Sequence, residues 1–147
     1  MMTTNLYRAR GFNAPGGDAK IETLQATIAF DGSQGMADAV PGPAHLLAGS
    51  LAACLLKNVE RFHHMLPFAY SAASADVDLE RRDAPPAIVR ARYVLEVHTD
   101  EPASRCALLH QNARKFGTIT NTLASACELE GTLRVVRSDG SGEEFPA

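Results

Sequence analysis

Pro43-Ala44-His45-Leu46-Leu47-Ala48-Gly49-Ser50-Leu51-Ala52-Ala53-Cys54-Leu55-Leu56-Lys57-Asn58-Val59-Glu60-Arg61-Phe62 is the stretch on which the fold turns. Proline stands where a first-turn residue is tolerated, and alanine and leucine fill the interior, so the spacing predicts one long helix. Leu47, Leu51, Leu55, Val59 and Phe62 recur at helical intervals and form a core-facing stripe. Ala44, Ala48, Gly49, Ser50, Ala52 and Ala53 keep the first three turns slim, which lets another backbone come close. Cys54 sits three turns in, flanked by those small residues. Any chemistry in this chain starts at that thiol.

Upstream, Leu6 to Phe12 alternates as a short strand, and Asn13 to Asp18 is a turn cluster. Lys20 to Phe30 alternates again and predicts a strand paired back as a hairpin. Residues 31–42, rich in Gly, Asp and Pro, form a loop that delivers the chain to the helix. Downstream, His63 to Pro67 ends the helix, since proline cannot continue it. Ser74 to Arg82 and Ile88 to Thr99 alternate as a hairpin, with Val89, Ala91, Tyr93, Leu95 and Val97 inward on the second strand. Its outward arginines face the outward acids of the first. A second helix opens at Glu101-Pro102 and carries Cys106, Leu109 and Ala113 inward, until Gly117 breaks it. A short helix follows from Thr118, with Thr118 as cap and Ile119, Thr122, Leu123 and Ala126 inward. Cys127 to Arg137 is the last strand, and residues 138–147 read as a frayed polar tail. Strands joined by hairpins indicate an α+β class with antiparallel sheets.

The 147 residues suit a single domain, 46% of them hydrophobic and 21% charged, as in soluble globular proteins. A formal charge of -3 argues against nucleic-acid binding, which wants a basic face. No apolar run reaches the roughly 18 residues of a membrane span, and no signal pattern opens the chain, so the expected address is the cytoplasm. Three cysteines without CxxC spacing read as reduced thiols, with neither a disulfide framework nor a zinc pattern; no metal and no cofactor is expected.

Pro43-x-x-Leu46-Leu47-Ala48-x-Ser50-Leu51-Ala52-Ala53-Cys54 resembles the helix motif of the OsmC/Ohr family, the osmotically induced and organic-hydroperoxide-resistance proteins. Ala113-Arg114-Lys115-Phe116-Gly117-Thr118-Ile119-Thr120 resembles that family's second signature, and the likeness spans residues 5–136. It implies an intertwined homodimer, with long helices packed centrally, sheets wrapped outside and sites at the interface. It also implies a role in oxidative stress defence, in which the helix cysteine attacks an organic hydroperoxide beside an arginine and a glutamate, and a second cysteine closes a disulfide. Cys54 takes the attacking position. The second cysteine of the family's Lys-x-Cys-Pro pattern is replaced by Gly117, before Thr118, and its glutamate by Ala44, beside His45. The arginine of the OsmC branch is replaced by Ala29, whereas the hairpin arginine of the Ohr branch has Arg8 and Arg10 as candidates.

A free thiol is only a few per cent ionised at neutral pH, and the thiolate is the nucleophile. Cys54 lies roughly 16 Å from its helix N-terminus, beyond the reach of the helix dipole. A cation must therefore activate it: Arg10 is the favoured choice, and Lys57, one turn on, points more naturally to solvent. Arg8, His45 and Leu51 are the expected substrate-binding residues. Cys106, Cys127 or an external thiol must resolve the sulfenic acid, and the external reductant is preferred. Cys106 and His110, four apart, permit a thiol–imidazole pair. His63 and His64 suit the terminal carbonyls of the helix. Asp31 and Asp38 are loop carboxylates expected to be solvated. Two functions stay open: a thiol-dependent peroxidase, and a protein that binds a small hydrophobic ligand at the dimer interface without turnover.

Overall fold

A computed structural model describes residues 2–16, 18–36 and 38–146. Gly17 of the expected turn, Ala37 of the expected loop, and the terminal Met1 and Ala147 lie outside the described residues. The chain divides into two compact units, Met1–Leu47 and Ala48–Ala147.

The first unit is a three-stranded antiparallel sheet: β1 (Arg10–Phe12), β2 (Lys20–Thr23) and β3 (Ala26–Ala29). The single strand expected over residues 20–30 is thus folded in two by a tight turn at Leu24-Gln25. Leu24 adopts a φ of 52°, a conformation that favours glycine. Alternation continues through such a turn, so periodicity could not mark it. The unit ends in the first turn of α1 (Pro43–Met65). There His45 Nδ1 accepts a hydrogen bond from the Gly42 backbone N–H at 3.1 Å, and Gly42 O accepts the first helical bond from Leu46 N. This is the reach-back of a capping box, made by an imidazole instead of a carboxylate.

The second unit holds the rest of α1, then β4 (Ala72–Asp83), β5 (Pro86–His98), α2 (Ala103–Phe116), α3 (Thr118–Ala126), β6 (Glu128–Val136) and β7 (Gly142–Pro146). Its sheet runs β4-β5-β6-β7. The antiparallel pairing expected of β4 with β5 holds, and β6 and β7 are antiparallel too, but β5 and β6 are parallel. Parallel neighbours need a connection of about a dozen residues or more, and α2 with α3 supplies it as a crossover. The tail expected to fray instead contributes β7, paired along β6 from Val136↔Gly142 to Thr132↔Pro146.

The core gathers Leu51, Leu55, Val59 and Phe62 of α1, Ala91, Tyr93, Leu95 and Val97 of β5, Cys106, Leu109 and Ala113 of α2, Leu123 of α3, and Leu133 and Val135 of β6. Each buried leucine or valine contributes about 1.5–3 kcal/mol by leaving water. The opposite face of the sheet is a charge ladder. Arg90 meets Glu128 at 3.0 Å and Glu80 at 3.6 Å, while Arg92 meets Glu130 at 3.1 Å. One polar chain crosses the core: Tyr93 Oη donates to His110 Nε2 at 2.7 Å, and His110 Nδ1–H donates to Phe145 O at 2.8 Å. The carbonyl can only accept, which fixes the tautomer. The Tyr93 ring lies over Gly131, where an added Cβ would fall 1.9 Å from Cζ. Glycine there admits the ring, the ring reaches His110, and His110 hangs β7 on α2.

Candidate functional site

The Cys54 thiol is half-buried on α1, facing the junction of α2 and α3. Asn58, one turn on, donates its side-chain amide to the Cys54 carbonyl at 2.8 Å and sits 3.7 Å from Sγ. Opposite lies Gly117, which separates α2 from α3 in an extended conformation (φ -78°, ψ 124°) open to any residue. A Cβ added there would stand 3.1 Å from Cys54 Sγ. Across a disulfide a Cβ lies about 3 Å from the distal sulfur, as its bond of about 2.04 Å dictates. Gly117 thus holds the place of a thiol partner without the thiol. The vacated space is taken by Thr120, whose Oγ1 would lie 2.1 Å from that Cβ. The buried Thr120 hydroxyl donates to Gly117 O at 2.8 Å, and Asn121 Nδ2 donates to Lys115 O at 3.0 Å, so these two residues cap the end of α2. Thr118, the expected cap of α3, makes no capping bond and is instead its first residue. Of the inward set expected for α3, Leu123 is buried and Ile119 half-buried, but Thr122 and Ala126 are exposed and Thr120 takes the inner place.

Cys54, Asn58, Arg61 and Met65 follow one another at four, three and four residues, a stripe beside the core-facing one. Between this stripe and the end of α2 runs a groove of about 230 Å³, lined by Phe62, Met65, Leu66 and Phe116 with Asn58, Arg61 and Asn112 as its polar groups. Asn58 belongs to both the groove and the surroundings of the sulfur. A small, mostly apolar molecule entering the groove therefore comes up against the residue that touches the thiol.

Residues 35–131 match the family model described as OsmC-like protein, well over half of the chain. The chain belongs to the OsmC-like family. No curated protein matches its sequence. Among solved structures, an OsmC-like protein from Mycoplasma pneumoniae is similar at 16% identity and a TM-score of 0.79, over 92% of this chain and 99% of that one. An organic hydroperoxide resistance protein from Legionella pneumophila is similar at 15% identity and a TM-score of 0.65, covering 90% and 98%. The organic hydroperoxide resistance protein OhrB of Bacillus subtilis is similar at 15% identity and a TM-score of 0.65, covering 88% and 98%. At these identities the likeness carries the fold, the α+β architecture of OsmC-like proteins.

Within this OsmC-like chain the expected site residues fall in different places. Cys54 is on the groove-side stripe. Leu51 is fully buried in the core stripe and has no surface toward the groove. His45 is occupied as the helix cap. Arg10 opens β1 opposite Glu22, and Arg8 precedes it, its carbonyl accepting a bond from Thr23 Oγ1; both belong to the first unit. Lys57 is exposed, as expected. Cys106 is fully buried, its Sγ directed at Glu101 O, and burial pushes its thiol pKa up against the lowering pull of Arg137. It forms no pair with His110, whose two nitrogens are taken by Tyr93 and Phe145. Cys127 donates to Leu123 O. His63 bonds Phe68 O, past the helix end, and His64 meets Glu60. Asp31 accepts from the Ser33 backbone and hydroxyl. Among the described residues no His, Cys, Asp or Glu cluster could hold a metal ion, and no helix is long and apolar enough to cross a membrane.

Sequence reasoning missed Asn58, Arg61, Thr120 and the groove. Asn58 and Arg61 were readable as the i+4 and i+7 neighbours of Cys54. The approach of Thr120 and Phe116 belongs to no sequence period, because it depends on where α2 stops.

Proposed function

We propose that the protein is a cytoplasmic, homodimeric thiol peroxidase of oxidative stress defence, reducing organic hydroperoxides through Cys54 with an external thiol as reductant. The observation that carries this reading is the disulfide-like spacing between Cys54 Sγ and the Cβ position of residue 117. It supports reading Cys54 as the attacking thiol, with glycine at position 117 offering no thiol to resolve it. The names of the Legionella and Bacillus relatives support the same substrate class.

The Cys54 thiolate attacks the distal peroxide oxygen and breaks the O–O bond. The sulfur becomes a sulfenic acid, and the alkoxide leaves as an alcohol after taking a proton. An external thiol then condenses with the sulfenic acid, releasing water and forming a mixed disulfide. A second thiol frees Cys54 and departs in a disulfide with the first. Arg10 is the guanidinium assigned to the thiolate and the peroxide oxygen, since it stays charged and can hold both.

The test is cumene hydroperoxide consumption with a small thiol present, with mass spectrometry of Cys54. One oxygen added at Cys54, and loss of turnover in Cys54→Ser, are expected. No peroxide consumption and no oxidation of Cys54 would end the reading. The groove favours a second function, retention of a small apolar ligand without turnover, and the same experiment separates the two.

A further inference from the structure

We propose that the groove beside Cys54 binds a small amphipathic carboxylate, with Arg61 as its anion anchor. Arg81, Arg90, Arg92, Arg105, Arg134 and Arg137 each pair with a carboxylate. Arg61 has no such partner among the described residues; its guanidinium lies 5.9 Å from the centroid of the Phe116 ring. Lys115 Nζ lies 5.2 Å from the centroid of the same ring, also without a carboxylate. A cation–π contact holds a cation in place without neutralising it. Of the two, Arg61 lines the groove, and an anion bound there would give its guanidinium the counter-charge that it lacks.

The surface beside Arg61 is apolar. Met65 is 64% exposed, Leu66 42% and Phe116 51%, three large apolar side chains around one groove. With Phe62 at its floor, the groove takes an apolar body, and its volume of about 230 Å³ is below that of a drug-sized site. The guanidinium fork matches a carboxylate in two parallel hydrogen bonds, while the Asn58 and Asn112 amides can donate to a polar group nearer the thiol. An apolar body with one carboxylate satisfies both the floor and the rim. A neutral hydrocarbon would leave the Arg61 guanidinium without a counter-charge.

This assignment stands on the groove and not on the thiol chemistry proposed above, and the two can fail separately. The experiment is calorimetric titration of the full chain with octanoate and, as the neutral match, 1-octanol, together with the rate of Cys54 alkylation by iodoacetamide. Octanoate is expected to bind about tenfold tighter than octanol, the worth of one charge-assisted pair. Added salt should narrow the gap, and bound octanoate should slow alkylation. In Arg61→Gln, octanoate should fall to the level of octanol while octanol is unchanged. Equal binding of the two probes, or a preference that survives Arg61→Gln, overturns the proposal. So does failure of both probes to bind, the result expected if a second copy of the chain covers the groove. Octanoate binding without hydroperoxide turnover would remove the peroxidase reading and leave this one; turnover without carboxylate preference would do the reverse.

Discussion

Replacing Gly117 by cysteine, with Thr120→Ala beside it, should install a disulfide to Cys54. The backbone at residue 117 already suits a side chain, and the built Cβ stands 3.1 Å from Cys54 Sγ. The obstacle is the Thr120 hydroxyl, 2.1 Å from that Cβ, so Gly117→Cys alone is overpacked and should lose about 2 kcal/mol. Removing the Thr120 side chain clears the overlap. A contact of 2.9 Å to the Ala113 backbone carbonyl remains, closer than Cβ atoms come, so the end of α2 must also move to admit the side chain. The new bond closes a loop of about 60 residues, for which chain entropy predicts about 4 kcal/mol. Allowing about 1 kcal/mol of native strain, the oxidised double variant should exceed its reduced form by about 3 kcal/mol, or about 10 °C in Tm for a chain of this size. The wild type has three free cysteines. The double variant should therefore lose two of its four titratable thiols on treatment with diamide, run as a single chain on a non-reducing gel, and melt higher without reductant than with it. Retention of all four thiols, or a Tm indifferent to reductant, would refute the placement of Cys54 against Gly117. A Gly117→Cys single variant as stable as wild type would refute the role given to Thr120.

Burial lowers the pKa of His110 from 6.5, so the folded chain keeps it neutral at a pH where the unfolded chain protonates it. Unfolding then takes up a proton, and stability should fall as pH drops from 6.5 toward the depressed folded value. Urea melts between pH 7 and pH 5 should show this loss in wild type and a shallower one in His110→Gln; equal slopes would refute the buried neutral imidazole. Leu24, fully exposed at a φ of 52°, should gain about 1 kcal/mol on replacement by glycine, read as a higher denaturation midpoint. A lower midpoint would mean that the Leu24 side chain is used by a partner surface.

Most of the fold was legible because it is periodic. The helical repeat of Leu51, Leu55, Val59 and Phe62 and the alternation of Ala91, Tyr93, Leu95 and Val97 each name a buried face without reference to any other element. Alternation says which side of a strand is wet, but not where its neighbour is or which way it runs. That is why the break at Leu24-Gln25, the parallel pairing of β5 with β6 and the strand β7 had to come from the structure. β7 owes its place to pairing with β6 and to a part-buried bond from His110, neither of which leaves a pattern in Ser138 to Pro146.

The candidate site divides the same way. Cys54 stands out in the sequence as a lone thiol on a slim helix, and its i+4 and i+7 neighbours follow from helix geometry alone. What surrounds its sulfur was decided by tertiary contact: where α2 ends, which side chain fills the space left by Gly117, and which aromatic ring Arg61 lies against. Periodicity is a property of one element, and each can carry it alone. The distance from a sulfur to a glycine 63 positions away in the chain is a property of two, set only when both are packed on the same core.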